Sequence, residues 1–371
     1  MLKSHPNPAL TVGADNKPGW NQPQGRRHGF HNAHLLFRRA VMVRSARVLD
    51  LAPREDAALV ARVMDSGLTD LAPFSALVVA EGNSLLFQAA APDFGPDRPH
   101  SVQSISKMHI HLIIGELLAA GRLRLTDRMG DLLPWLGSGY AGARLQDVLD
   151  MNVANDFSED YADPFAGCYR EEEAIGFRLP QGEEPTLKGF VAGITGGDLT
   201  NRSGWAMYKS ANTDLLTLLA AQHCDLHARL TAICDAAGYE GALHMSLSPE
   251  MLPAFSGGGC LSARDLARFG LLLARMGRGV VGDVGNAAFT EATLARPTLR
   301  LGPKRGAVRY ANQVMTNGRW LGHGGYGGQF LMADPVTGRA AAFLSVLEND
   351  SGYDTDYAAH VVEKLEAIIC A

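Results

Sequence analysis

The alternation of apolar and polar positions divides the chain into two strand-rich ends around a helical middle. Residues 56–68 carry Leu59, Val60, Val63 and Met64 at helical spacing, which predicts one amphipathic helix. Residues 76–80 and 84–89 are β-rich runs separated by Glu81, Gly82 and Asn83, a hairpin composition that predicts two antiparallel strands. Further strands are predicted far downstream at 309–315, 319–321, 329–333 and 340–347, before a last helix over 357–369. The middle reads as helices at 107–120, 145–151, 187–194, 213–223, 226–237 and 263–276. Residues 1–30 are rich in Pro, Asn, Gly and Gln without an apolar period and read as an irregular arm.

These elements predict a two-lobe α/β fold. Residues 31–103 together with 281–371 would form one antiparallel sheet covered by the terminal helices. Residues 104–280 would form a mainly helical lobe docked on it, with a cleft between the two, where sites tend to lie.

Composition narrows the function. A chain of 371 residues can bury a large core without disulfide or metal staples, and 46% apolar with 20% charged residues fits neither disorder nor a membrane-spanning architecture. The net charge of −5, with no run of Lys or Arg longer than two, argues against nucleic acid as a partner. No window approaches the roughly 18 apolar residues of a membrane helix, and Met1 to Trp20 lacks the apolar run of a signal peptide, so a cytoplasmic location is expected. Five cysteines at irregular spacings, Cys168, Cys224, Cys234, Cys260 and Cys370, suit reduced packing residues better than a disulfide framework. His109 and His111 point to different sides of one helix, and His223 and His227 flank a helix break, so no metal is expected.

Three segments carry candidate chemistry. Ser104-Ile105-Ser106-Lys107 opens a helix and sets a hydroxyl and an amine one turn apart, so that they can share a proton. The alternative is a simple helix cap. Tyr208-Lys209-Ser210-Ala211-Asn212-Thr213-Asp214 places a phenol and an amide before an apolar helix. Gly322-His323-Gly324-Gly325-Tyr326-Gly327-Gly328 is a glycine-rich turn at a strand, where backbone N–H groups can approach a ligand.

In this order and spacing the three segments resemble the serine-reactive hydrolases of the β-lactamase and penicillin-binding-protein superfamily, whose elements are Ser-x-x-Lys, Ser-Asp-Asn or a Tyr variant, and Lys-Thr-Gly. Within it, the chain resembles the 6-aminohexanoate-dimer hydrolases and related carboxylesterases. Residues 146–164, QDVLDMNVANDFSEDYADP, resemble the loop that carries a substrate-contacting tyrosine, here Tyr161, and residues 257–270, GGGCLSARDLARFG, resemble a helix lining the same cleft.

The resemblance implies an acyl-enzyme amidase or esterase without cofactor, acting on a small-molecule amide or ester. Ser104 would be the nucleophile, Lys107 and Tyr208 would handle its proton, and the amides of Ser104 and Tyr326 would hold the oxyanion. Tyr161, Ser210, Asn212, His323, Gly324 and Gly325 would meet substrate, with Glu172 added from the acidic run 171–173. Either Ser210 replaces the motif's Asn and Tyr208 is the phenol, the favoured reading, or Ser210 takes the phenol's place. His323 stands where penicillin-recognising relatives have lysine, so weak or no β-lactam hydrolysis is expected. An acyltransferase with the same nucleophile and a catalytically silent binding protein stay open, as does pairing into a homodimer.

Overall fold

The computed structural model describes residues 20–161, 163–180 and 182–371. Its centre is an eight-stranded sheet in the order Ala52–Pro53, Ser84–Ala90, Phe74–Glu81, Arg339–Ser345, Phe330–Asp334, Leu321–Gly324, Val314–Thr316, Arg309–Ala311. All pairings are antiparallel except the first. The predicted union of the two strand groups occurs at the Phe74–Glu81 and Arg339–Ser345 pair, where Val78 faces Ala342 and Leu77 faces Phe343.

Both faces of this pair are covered, which explains why Phe74–Glu81 is a continuous apolar run. Leu77 and Val79 face a layer containing Leu59 and Val63 of the helix Ala57–Ser66 and Leu365 and Ile368 of the helix Thr355–Ile369. Ala76, Val78 and Ala80 face the opposite way, into the main core, as the two-residue period of a strand requires. The helix Ala263–Gly277, inside the 104–280 range, packs on that second face across four strands. Gly270 allows the close approach: a Cβ there would stand 2.7 Å from the Ala340 Cβ.

Other elements differ from expectation. Residues 309–315 form two strands, because Asn312 and Gln313 take φ of 50° and 67° and turn the chain between them. A second, four-stranded sheet joins Ala40–Arg44, Ala242–Ser246, Gly259–Leu261 and His100–Ser101. It escaped the periodicity reading because its strands are short and drawn from three distant regions of the chain.

The irregular arm needs correction over residues 26–30. Arg26–Asn32 is a helix, and Arg26 and Phe30 are buried. The Arg26 guanidinium donates to the carbonyls of Leu347 and Asn349, each at 2.6 Å, and Gly29 lies so close to Trp20 that a Cβ would stand 2.1 Å from its backbone. These contacts are with the far end of the chain or with a single aromatic, and they leave no local period. Residues 1–19 of the arm lie outside the described residues. Among the described residues, no helix is long and apolar enough to cross a membrane.

Candidate active site

Ser104 and Lys107 lie in one 3-10 turn, Gln103–Lys107, that feeds the helix Met108–Ala119. In a 3-10 turn, side chains three apart eclipse, which brings the Lys107 Nζ to 3.0 Å from the Ser104 Oγ. Gln103 enters the turn at φ 50°, an uncommon conformation for a residue with a side chain, and its amide is anchored on the Ser101 hydroxyl at 2.7 Å.

Lys107 is fully buried. Its Nζ also donates to the Ser210 Oγ at 2.8 Å and to the Ser256 carbonyl. Burial lowers its pKa, while the charges of Glu159, Glu171 and Asp214 pull the other way. An amine that loses its proton more readily beside a serine hydroxyl can accept the serine's proton.

The second motif supplies two hydroxyls. Tyr208 is half-buried, with the Lys107 Nζ 5.2 Å from its ring centre. Burial, then Tyr310 and Glu159, push its phenol well above the ordinary value, with Ser104 opposing. Ser210 starts the helix Ser210–Ala221, and its Oγ meets Lys107 directly, beside Tyr208 in the same motif. Asn212 faces inward instead. It is fully buried, its Oδ1 accepts from the Tyr140 hydroxyl at 2.8 Å and its Nδ2 donates to the Val148 carbonyl at 3.1 Å, so its amide does not serve a substrate.

The third motif divides likewise. Gly324, Gly325 and Tyr326 line a cleft of about 470 Å³ together with Ser104, Tyr161 and Tyr208. Gln329 holds the turn by donating to the Tyr326 carbonyl at 2.7 Å and the Ser101 carbonyl at 3.1 Å, while the Gly325 N–H donates to the Gln329 carbonyl at 2.8 Å. His323 is fully buried and does not line this cleft. Its Nδ1 donates to the Gly324 carbonyl at 2.6 Å, which leaves Nε2 to accept from the Tyr310 hydroxyl at 3.0 Å. Burial, aided by Lys107, lowers its pKa to about 3, so it is a neutral prop behind the cleft rather than a substrate contact.

The Tyr161 ring lies tilted against that of Tyr326, centres 4.8 Å apart, and its hydroxyl points at Glu159, 3.5 Å away. Glu172 is buried and lines a smaller hollow behind Ser104, with Tyr161 and Ser210, rather than the main cleft.

Sequence reasoning missed a set of acids around the lysine. Glu159 accepts from the Ser210 N–H at 2.7 Å and from its hydroxyl at 2.8 Å. Asp214 is fully buried, with a pKa raised to about 6 chiefly by burial, and Glu171 beside it is pushed well above the carboxylate range by burial and by Asp214. Asp214 was legible as part of the second motif, whereas Glu159 lay in the 146–164 loop with no sign of its partner.

Comparison with known proteins bears on this geometry. A Bacillus anthracis protein provisionally named a 6-aminohexanoate-dimer hydrolase superposes with a TM-score of 0.75 at 17% identity, covering 92% of this chain and 93% of that one. A D-stereospecific amidohydrolase from a Streptomyces species superposes with a TM-score of 0.59 at 19% identity over 85% of this chain and 99% of its own. The beta-lactamase family model matches residues 227–364. The fold is beta-lactamase-like.

That matched stretch of the beta-lactamase-like fold contains the His323 to Tyr326 turn and follows Ser104, Lys107 and Tyr208 in the chain. In sequence, the 6-aminohexanoate-dimer hydrolase of Paenarthrobacter ureafaciens is 28% identical over 232 residues, 59% of this chain. The alignment spans 57% of that relative's length.

Proposed function

We propose that this protein is a serine hydrolase that cleaves an amide or ester bond of a small molecule through an acyl-enzyme. Ser104 attacks the carbonyl carbon, and its proton passes to the neutral amine of Lys107. The amides of Ser104 and Tyr326 stabilise the oxyanion, a contribution worth about 3 kcal/mol per donor. The protonated Lys107, through the Ser210 or Tyr208 hydroxyl, returns the proton to the leaving group as the carbon–nitrogen or carbon–oxygen bond breaks. Water then attacks the acyl carbon and restores Ser104, with no metal or organic cofactor in the scheme. Tyr161, at the cleft wall, contacts the leaving group.

The observation that carries this reading is the fully buried Lys107 amine 3.0 Å from the Ser104 hydroxyl in a cleft wall. Burial of this amine disfavours its charged form, which favours uptake of the serine's proton. The relatives named above support amide chemistry. With His323 neutral and behind the cleft, no fixed cation stands at that position for a β-lactam carboxylate, so β-lactam turnover is weak or absent. The test is Ser104→Ala: fluorophosphonate labelling and ester turnover vanish while the melting temperature holds. Labelling that persists in the variant would overturn the assignment.

A further inference from the structure

The hydrogen bonds around Lys107 have a fixed polarity, and its source lies outside the three motifs. The Lys107 nitrogen has three partners: the Ser104 Oγ, the Ser210 Oγ and the Ser256 carbonyl. A carbonyl only accepts, so the Ser256 contact takes one N–H. The Ser210 hydroxyl has one hydrogen, and it points at the Glu159 Oε1 at 2.8 Å; the other Glu159 oxygen receives the Ser210 backbone N–H at 2.7 Å. With its hydrogen committed, the Ser210 Oγ accepts the second N–H of Lys107. A neutral amine has two hydrogens and one lone pair, so the lone pair is left facing Ser104.

We propose that Glu159 is a positioning residue: by taking the Ser210 hydroxyl hydrogen, it turns the lone pair of neutral Lys107 onto Ser104. This inference rests on the proposed function, because it explains how the lysine is set to receive the serine's proton. Glu159 touches neither reacting atom. It acts through Ser210.

Replacement by glutamine reverses the polarity with little change in shape. The Ser210 backbone N–H can only donate, so the glutamine carbonyl oxygen must face it and the NH2 must face the Ser210 Oγ. That hydroxyl then accepts from glutamine and sends its own hydrogen to the Lys107 lone pair, which is no longer free for Ser104.

The test is the pre-steady-state burst with p-nitrophenyl acetate, with intact-mass detection of the acetyl adduct, on wild type, Glu159→Gln, Ser210→Ala and the double variant. Glu159→Gln should slow acylation about 30-fold or more with the substrate concentration at half-maximal rate changed less than about threefold. In the Ser210→Ala background the same substitution should cost less than about threefold, since its intermediary is gone. Glu159→Asp, which keeps an acceptor-only carboxylate, should retain more acylation than Glu159→Gln. An equal loss in both backgrounds, or a Glu159→Gln burst equal to a normal wild-type burst, would overturn the role of Glu159 alone. Absence of any adduct on the wild type would overturn it together with the proposed function.

Discussion

His109 lies on the helix that begins immediately after Lys107, and it links the stability of the site's scaffold to pH. Its ring is stacked on Phe269 at 4.6 Å and on Phe255 at 5.9 Å, its Nδ1 meets the Ser106 carbonyl at 2.9 Å, and its Nε2 has no partner. Burial lowers its pKa from 6.5 to about 4, against a smaller upward pull from Ser106. The unfolded chain therefore binds a proton more readily than the folded one between these values. Stability from this group is present in full above about pH 6.5 and is lost as pH falls toward 4. Proton linkage makes the loss about 1 kcal/mol at pH 6 and about 2 kcal/mol at pH 5. His109→Phe keeps a flat ring in the aromatic stack, removes the titration and gives up one hydrogen bond worth about 1 kcal/mol. The variant should be about 1 kcal/mol less stable than wild type at pH 7.5, equal near pH 6 and more stable at pH 5. Urea unfolding at the three pH values measures this. A stability difference that stays constant from pH 7.5 to 5 would refute the reasoning, because the other buried histidines are common to both proteins.

Two further substitutions test the neighbourhood of the cleft. Lys107→Met should lower ester turnover by about a thousandfold with the fold retained, as judged by circular dichroism, since the thioether fills the buried site and cannot take a proton. A variant that keeps a tenth of wild-type turnover would exclude Lys107 as the base. Gly327→Ala meets two obstacles, a φ of 94° and the Phe30 ring 2.5 Å from the new Cβ. It should cost about 2 kcal/mol or more in thermal unfolding and lower turnover by displacing the Tyr326 amide.

The parts of this molecule that were legible in its sequence are those whose partners lie close along the chain or repeat with a regular period. Ser104 and Lys107 are three apart, so their meeting follows from the geometry of one turn. The helix Leu226–Ala237 and the strands around residues 74–90 follow from apolar spacing. What stayed hidden depends on distant pairing or on which way a side chain turns. Asn212 sits in the expected motif, yet Tyr140 and Val148 draw it inward from 72 and 64 residues away. His323 lies in the expected glycine-rich segment but within the strand Leu321–Gly324, where Tyr310 takes it. Glu159 was visible as one acid among several, and only the fold brings it to Ser210, 51 residues on. The helix Arg26–Asn32 is held by carbonyls more than 320 residues downstream.

The pairing of Phe74–Glu81 with Arg339–Ser345 sets a timetable for the newborn polypeptide. Ser104 leaves the ribosome about 240 residues before Phe343, an interval of roughly 12 to 50 s at about 5 to 20 residues per second. During that time Ser104 exists without the strand that completes the eight-stranded sheet or the glycine turn that lines the cleft with it. The cleft is therefore complete only late in synthesis, and a chain cut short by premature termination would carry Ser104 without the turn that lines the cleft beside it.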